Sequence, residues 1–205
     1  MKWGFVGIFF ISSVAVANTC SYTTYQWNTK TRKAENYQRV VKPRSDLTAS
    51  EVDSATGCSV CEEDQIELRF SGLPPFKLCK YLAAKATHIV EHLQRRNAVL
   101  LDVVGYRVGM TRGAIDANGL RTEFSNHSFG VALDINTEQN GLYDNCLSFG
   151  PSCRLIKGGA WSAKDPRSLT ADSDVVRVFK ENGFLWGGEI AGKQKDFMHF
   201  SPSGY

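Results

Sequence analysis

The chain predicts an α+β domain, a small antiparallel sheet with helices packed on one side. Two amphipathic stretches and a few short apolar runs carry that prediction. Over residues 76–96, Leu78, Leu82, Ala86, Ile89 and Leu93 fall on one helical stripe. Residues 168–183 read as a second helix, with Val175, Val176, Val178 and Phe179 on its apolar side. Thr170 or Asp172 is its expected cap and Gly183 its stop. Strands are expected where Gln65 to Phe70 alternates, with Ile66, Leu68 and Phe70 on one face, and at the apolar runs 99–104 and 131–133.

Taken from the N-terminus, residues 1–17 read as a signal peptide. Lys2 is its positive end, residues 3–14 its apolar core and Ala15-Val16-Ala17 its cleavage signal. The apolar run is shorter than the roughly 20 residues of a spanning helix, so no stable membrane anchor is expected after cleavage. The protein is then exported, to the periplasm or beyond the cell. All six cysteines lie after the cleavage point, and an even number in an exported chain predicts disulfides. Cys146 and Cys153 are expected to close a local loop. Cys20, Cys58, Cys61 and Cys79 then pair among themselves. The Cys58-Ser59-Val60-Cys61 spacing also admits a structural zinc site with Cys79 and Cys20, or a redox pair.

The 205 residues and 42% hydrophobic fraction suit one compact domain with a real core. A net charge of +3 is too small to argue for nucleic acid. Residues 18–75 read as a disulfide-pinned N-terminal arm, polar, with scattered aromatics and no helical period. Lys30, Arg32, Lys33, Arg39, Lys42 and Arg44 make it basic. Such an arm is either a solvated wrap or a contact with an anionic envelope polymer. Residues 111–123 and 136–161 read as irregular loops, the second braced by the Cys146–Cys153 pair. Trp161 either shapes a groove or plugs the core. Trp186 reads as packing, and the following Gly187 and Gly188 as points of close backbone approach.

The chemistry concentrates in Ser125-Asn126-His127-Ser128-Phe129-Gly130-Val131-Ala132-Leu133-Asp134 and in Asp196-Phe197-Met198-His199-Phe200. A catalytic zinc takes three protein ligands of N and O type and keeps a position open. His127, Asp134 and His199 can supply those three. Asp196, three residues before a ligand, can take a proton from the attacking water. Gly130 permits a tight turn before the run that carries Asp134. These residues make a candidate mononuclear metal-hydrolase site.

The pattern Ser-x-His-x-x-Gly-x-Ala-x-Asp followed by Asp-x-x-His resembles the zinc D-alanyl-D-alanine metallopeptidases: the D,D-carboxypeptidases, related dipeptidases and L-alanyl-D-glutamate endopeptidases. The resemblance covers residues 78–205. It implies a DD-peptidase-like fold with a zinc cleft, residues 76–205 as the zinc peptidase domain and one Zn2+ per chain. It also implies His127, Asp134 and His199 as metal ligands and Asp196 as general base. Tyr106-Arg107 stands where the family often has Tyr-Arg, which implies Arg107 as the residue that holds the substrate or the oxyanion. Val108 departs from the family's small hydroxyl residue, and Arg112 or Arg121 could serve instead. The implied substrate is the peptide stem of bacterial peptidoglycan, cut in carboxypeptidase or endopeptidase fashion; the protein itself is expected to be a monomer. The alternatives are an inactive zinc-containing wall-binding module of the same fold, and a zinc hydrolase of another bond.

A rival zinc motif, His88-Ile89-Val90-Glu91-His92, lies on the first helix. Its histidines flank the apolar stripe and Glu91 points away from it. Surface residues are the expected reading.

Overall fold

The computed structural model describes residues 18–203. The expected signal peptide, residues 1–17, lies outside the described residues. The chain begins with strands β1 (Thr19–Asn28) and β2 (Lys33–Pro43), then β3 (Gln65–Leu68) and β4 (Phe76–Cys79). Helix α1 (Ala83–Arg95) follows, then β5 (Val103–Val104), β6 (Met110–Ile115), β7 (Arg121–Phe124) and β8 (Leu133–Ile135). The C-terminal part contains β9 (Leu142–Asp144), β10 (Arg154–Lys157), helix α2 (Asp174–Glu181), β11 (Leu185–Trp186), β12 (Lys195–Asp196) and β13 (His199–Ser201). The fold is thus mixed α+β, with small sheets and few helices.

Among the described residues the strands form four small sheets. Their strand orders are β2-β1-β6-β7, β10-β9-β12, β11-β13-β8-β5 and β3-β4. Apart from the β1–β6 contact, the pairs are antiparallel. Helix α1 buries Ala86, Ile89, Val90 and Leu93. Helix α2 buries Val175, Val176, Val178 and Phe179 and packs against α1 and β11. Phe179 stacks on Phe200 with ring centroids 4.3 Å apart. The core of α2 thereby braces β13, which carries His199.

Several boundaries differ from the sequence-based expectation. The stripe beginning at residue 76 is first a strand and becomes helical only at Ala83. Phe76 and Leu78 alternate inward from β4, and with only one turn between them and the helix the two periods merge in sequence. The second helix starts later than expected. Ser173, not Thr170 or Asp172, caps it by accepting from the Val176 amide. Strand β5 holds only the last two residues of the run 99–104. The polar segment 19–43, for which no regular element was expected, is the β1–β2 hairpin. Cys20, Tyr22 and Thr24 alternate into the core along β1, a two-residue period masked in sequence by the polar threonines. The two expected loops are hairpins as well, β6–β7 and β9–β10.

The disulfides are Cys20–Cys61, Cys58–Cys79 and Cys146–Cys153. Cys58 and Cys61 therefore bond to different partners. That leaves no thiolate zinc cluster and no redox pair in the Cys-x-x-Cys segment. Trp161 belongs to the packing: its ring stacks on Phe197 at 4.4 Å, and its Nε1 donates to the Leu169 carbonyl.

Candidate metal centre

His127 sits in a short 3-10 turn, Asn126–Phe129, that ends on Gly130 at φ 66°. A side chain there would meet two obstacles. A Cβ would stand 2.0 Å from Gln65 Oε1 and 2.6 Å from the Cys79 amide nitrogen. Glycine is thus required twice, for the left-handed backbone and for the close approach of β4. The chain then runs into β8, where Asp134 lies mid-strand rather than at the strand's end as expected.

Strand register supplies the other ligand candidate. Asp134 pairs with Val104 of β5 on one side and with His199 of β13 on the other. Cross-strand partners project to one face. Asp134 Oδ1 is accordingly 2.9 Å from His127 Nε2 and 3.2 Å from His199 Nδ1. The donor atoms of His127, Asp134 and His199 all lie within 4.8 Å of one another, and all three residues are buried.

The hydrogen bonds fix where the imidazole proton of His127 sits. His127 Nδ1 is 2.8 Å from the Gly105 carbonyl oxygen. A carbonyl only accepts, so Nδ1 carries the proton. In the neutral ring Nε2 then presents a lone pair to Asp134 Oδ1, which is itself an acceptor. Two acceptors at that distance suit a cation, a proton or a metal ion, shared by them. A protonated imidazole is disfavoured, since burial pushes His127 down to about 4, against the pull of Asp134. Asp134 stays ionised despite its desolvation because His127 and His199 hold it well below the usual carboxylate range. The N, O, N donor set suits a divalent zinc-like ion.

Arg107 completes the first ring of contacts. Its Nη2 donates to Asp134 Oδ2 at 3.1 Å, and its backbone amide donates to the His127 carbonyl. Burial opposes the charge of the guanidinium, Asp134 favours it, and Tyr25 of β1 lies near enough to favour it too. The N-terminal hairpin thus reaches the site, a contact with no signal in spacing or composition. Arg107 Nε is buried and has no partner among the described residues. Arg112 donates to Asn126 Oδ1, next to His127, and Arg121 to the Gly113 carbonyl.

Asp196 is buried on β12, at the neighbouring sheet edge. A Cβ on Gly187 would meet the Asp196 carbonyl oxygen at 2.2 Å, so Gly187 gives this strand its close seat. Lys157 of β10, which the sequence reading passed over, lies within the electrostatic field of Arg107, Asp134 and Asp196. His88 and His92 stack loosely on α1 with centroids 6.2 Å apart. Among the described residues they belong to no group of three metal-capable side chains. The other such group, Cys20, Cys61 and Glu63, contains a disulfide.

Residues 118–202 match the family model described as D-alanyl-D-alanine carboxypeptidase. No curated protein and no solved structure matches the chain. His127, Asp134, Asp196 and His199 all fall inside the matched stretch, and the match supports membership of the D-Ala-D-Ala metallopeptidase family.

Proposed function

We propose that this protein is a zinc-dependent peptidase that hydrolyses peptide bonds in the stems of bacterial peptidoglycan, as a D,D-carboxypeptidase or an L-alanyl-D-glutamate endopeptidase. The observation that carries the reading is the buried lone-pair contact between His127 Nε2 and Asp134 Oδ1, with His199 Nδ1 on the same oxygen. One zinc per chain, held by His127, Asp134 and His199, would supply Lewis-acid polarisation of the scissile carbonyl and an acidified water with a pKa near roughly 7.

The chain's own groups do the rest. Asp196 takes a proton from the attacking water and later delivers it to the leaving amine. Its burial keeps competing water away from that proton. Arg107 turns Asp134 so that Oδ1 faces the imidazoles, and its Nε–H remains available to a substrate oxygen in a site of low dielectric. Gly105 fixes the His127 tautomer through its carbonyl.

Export agrees with the disulfides. Among the described residues no helix is long and apolar enough to cross a membrane. We propose a monomer that works outside the cytoplasm, with the peptidoglycan stem as its partner. Residues 76–205 would form the peptidase domain and residues 18–75 a segment closed on itself by Cys20–Cys61 and pinned to the domain by Cys58–Cys79.

The test pairs metal analysis with cleavage. Mature protein folded oxidatively, and its His127→Ala and Asp196→Ala variants, are assayed for bound zinc and for products from purified peptidoglycan. The expected result is near-stoichiometric zinc in wild type, its loss in His127→Ala, and retained zinc without cleavage in Asp196→Ala. Zinc binding by wild type with no cut of any stem substrate would favour the wall-binding module. Zinc retained by His127→Ala would remove this constellation.

A further inference from the structure

Strand β9 lies between β10 and β12. Leu142 of β9 pairs with Lys157 on one side and Asp196 on the other. Residues in register across neighbouring strands project to one face, and strands lie about 4.8 Å apart. Lys157 and Asp196 are therefore two strands apart on the same row and the same face. The register shifts between Leu155 and Lys157. Such an irregularity re-aims the side chain that follows it. Beyond Lys157 the strand is tied down where the Gly159 amide donates to the Thr137 carbonyl at 3.0 Å. At the other end of the hairpin is the Cys146–Cys153 disulfide.

The charge environment is as specific as the placement. Lys157 is open to water, yet protein surrounds its ammonium closely enough for desolvation, and then Arg107, to oppose its charge; Asp134 and Asp196 favour it. Lys157 makes no ammonium hydrogen bond or ion pair among the described residues. Other lysines, among them Lys33, Lys77, Lys164 and Lys193, make none either; what distinguishes Lys157 is its place in the row with Asp196. An ammonium held beside a reaction centre without a protein partner is a receptor for an anion from outside.

We infer that Lys157 binds a carboxylate carried by the residue on the leaving side of the scissile bond. The side follows from the row: Asp196 hands its proton to the leaving amine, and Lys157 shares the sheet face of Asp196. Arg107, bonded to Asp134, stands with the metal ligands and serves the carbonyl. This inference rests on the peptidase reading above. The chemistry is common to the two bond types in question, since a C-terminal D-alanine and a γ-linked D-glutamate each place a free carboxylate next to the departing nitrogen.

Two matched peptide pairs test it. One is a stem peptide ending in D-alanyl-D-alanine, as free acid and as C-terminal carboxamide. The other has an L-alanyl-γ-D-glutamyl bond with the α-carboxylate free or amidated. Rates are measured for wild type, Lys157→Met and Lys157→Arg, and binding of the same peptides to the metal-free proteins is measured by calorimetry. Wild type should prefer the acid of one pair by about 10- to 100-fold, the range of a charge-assisted hydrogen bond. Lys157→Met should bring the acid down to the amide, mainly through KM, and Lys157→Arg should keep most of the preference. A Lys157→Met enzyme with the wild-type acid preference overturns the inference. If wild type cuts none of the peptides, the peptidase reading fails. The binding data then decide alone: an acid preference that vanishes in Lys157→Met upholds the receptor, and its absence in wild type overturns it.

Discussion

His199 stands directly opposite Asp134 across the antiparallel β8–β13 pair, its Nδ1 3.2 Å from Asp134 Oδ1. Two ligand candidates far apart in sequence are thus fixed by backbone hydrogen bonds rather than by loop conformation. A slip of one residue would turn Asp134 to the other face and dissolve the site. Phe200, next to His199, is clamped by Phe179 of α2 and pairs with Leu133. The register is therefore locked by the core.

Gly130→Ala tests how far the turn after His127 is required. The substitution forces an L side chain into φ 66° and drives its Cβ to 2.0 Å from Gln65 Oε1. Backbone strain of about 1–3 kcal/mol and overpacking of about 1–3 kcal/mol act together. Urea unfolding should show a loss within the sum of those ranges. Zinc affinity should fall too, since relief of the clash moves the turn that holds His127. Unchanged unfolding and unchanged zinc affinity would mean that the turn tolerates a side chain and that Gly130 is incidental.

The triad was legible because its chemistry is written locally: a histidine, a glycine and an aspartate in one short stretch, and an acid and a histidine in another. The amphipathic cores of α1 and α2 were legible for the same reason, as a helical period needs only its own residues. What joins the site to the rest was not. The Gly105 carbonyl that sets the His127 tautomer has no side-chain signature. Tyr25 reaches Arg107 from a hairpin whose alternation is hidden by Thr24 and Gln26. Lys157 acquires its place only when β9 aligns it with Asp196, and a three-strand row cannot be read from any one strand. Short strands of two to four residues also carry too few alternations to separate from loops, as β5, β11 and β12 show.

Acid should weaken the N-terminal hairpin through Glu51. Burial opposes the Glu51 charge, but bonds from Lys42, Tyr22 and Thr48 overcome it and hold the carboxyl at about 2. The unfolded chain titrates near the ordinary glutamate value, so between these limits it binds the extra proton. The stabilisation is complete above the unfolded value and is lost as pH falls toward about 2. Its size is on the order of 3 kcal/mol. Stability measured from pH 6 down to about 2 should decline less steeply in Glu51→Gln than in wild type. Parallel curves would show that Glu51 titrates alike in both states.

Loss of disulfides should separate stability from activity. The Cys20–Cys61 bond spans 41 residues and Cys146–Cys153 spans 7. Loop-closure entropy gives about 4 kcal/mol for the first and about 2.5 kcal/mol for the second. Replacing both cysteines of a pair by serine should follow that order in thermal unfolding. Catalysis should follow the reverse order, because the short bridge closes the hairpin that aims Lys157. Equal losses of activity at matched folded fractions would remove the hairpin from the site.

Arg107 has two separable duties, and paired measurements can resolve them. Its Nη2 satisfies Asp134 Oδ2, and its Nε, buried and without a partner among the described residues, is free for substrate. Arg107→Ala should cut zinc affinity by about 10- to 100-fold, the cost of losing a ligand's orienting partner. It should also cut kcat by roughly 10²- to 10³-fold at saturating zinc, the cost of a missing oxyanion donor. Arg107→Lys restores a positive charge toward Asp134 but not the rigid fork. Zinc affinity should therefore recover most of the way while kcat stays low. Full recovery of kcat in Arg107→Lys would show that only the charge matters and that Nε donates nothing to the reaction. Recovery of neither would place Arg107 in the architecture of the turn, where its backbone amide already holds the His127 carbonyl.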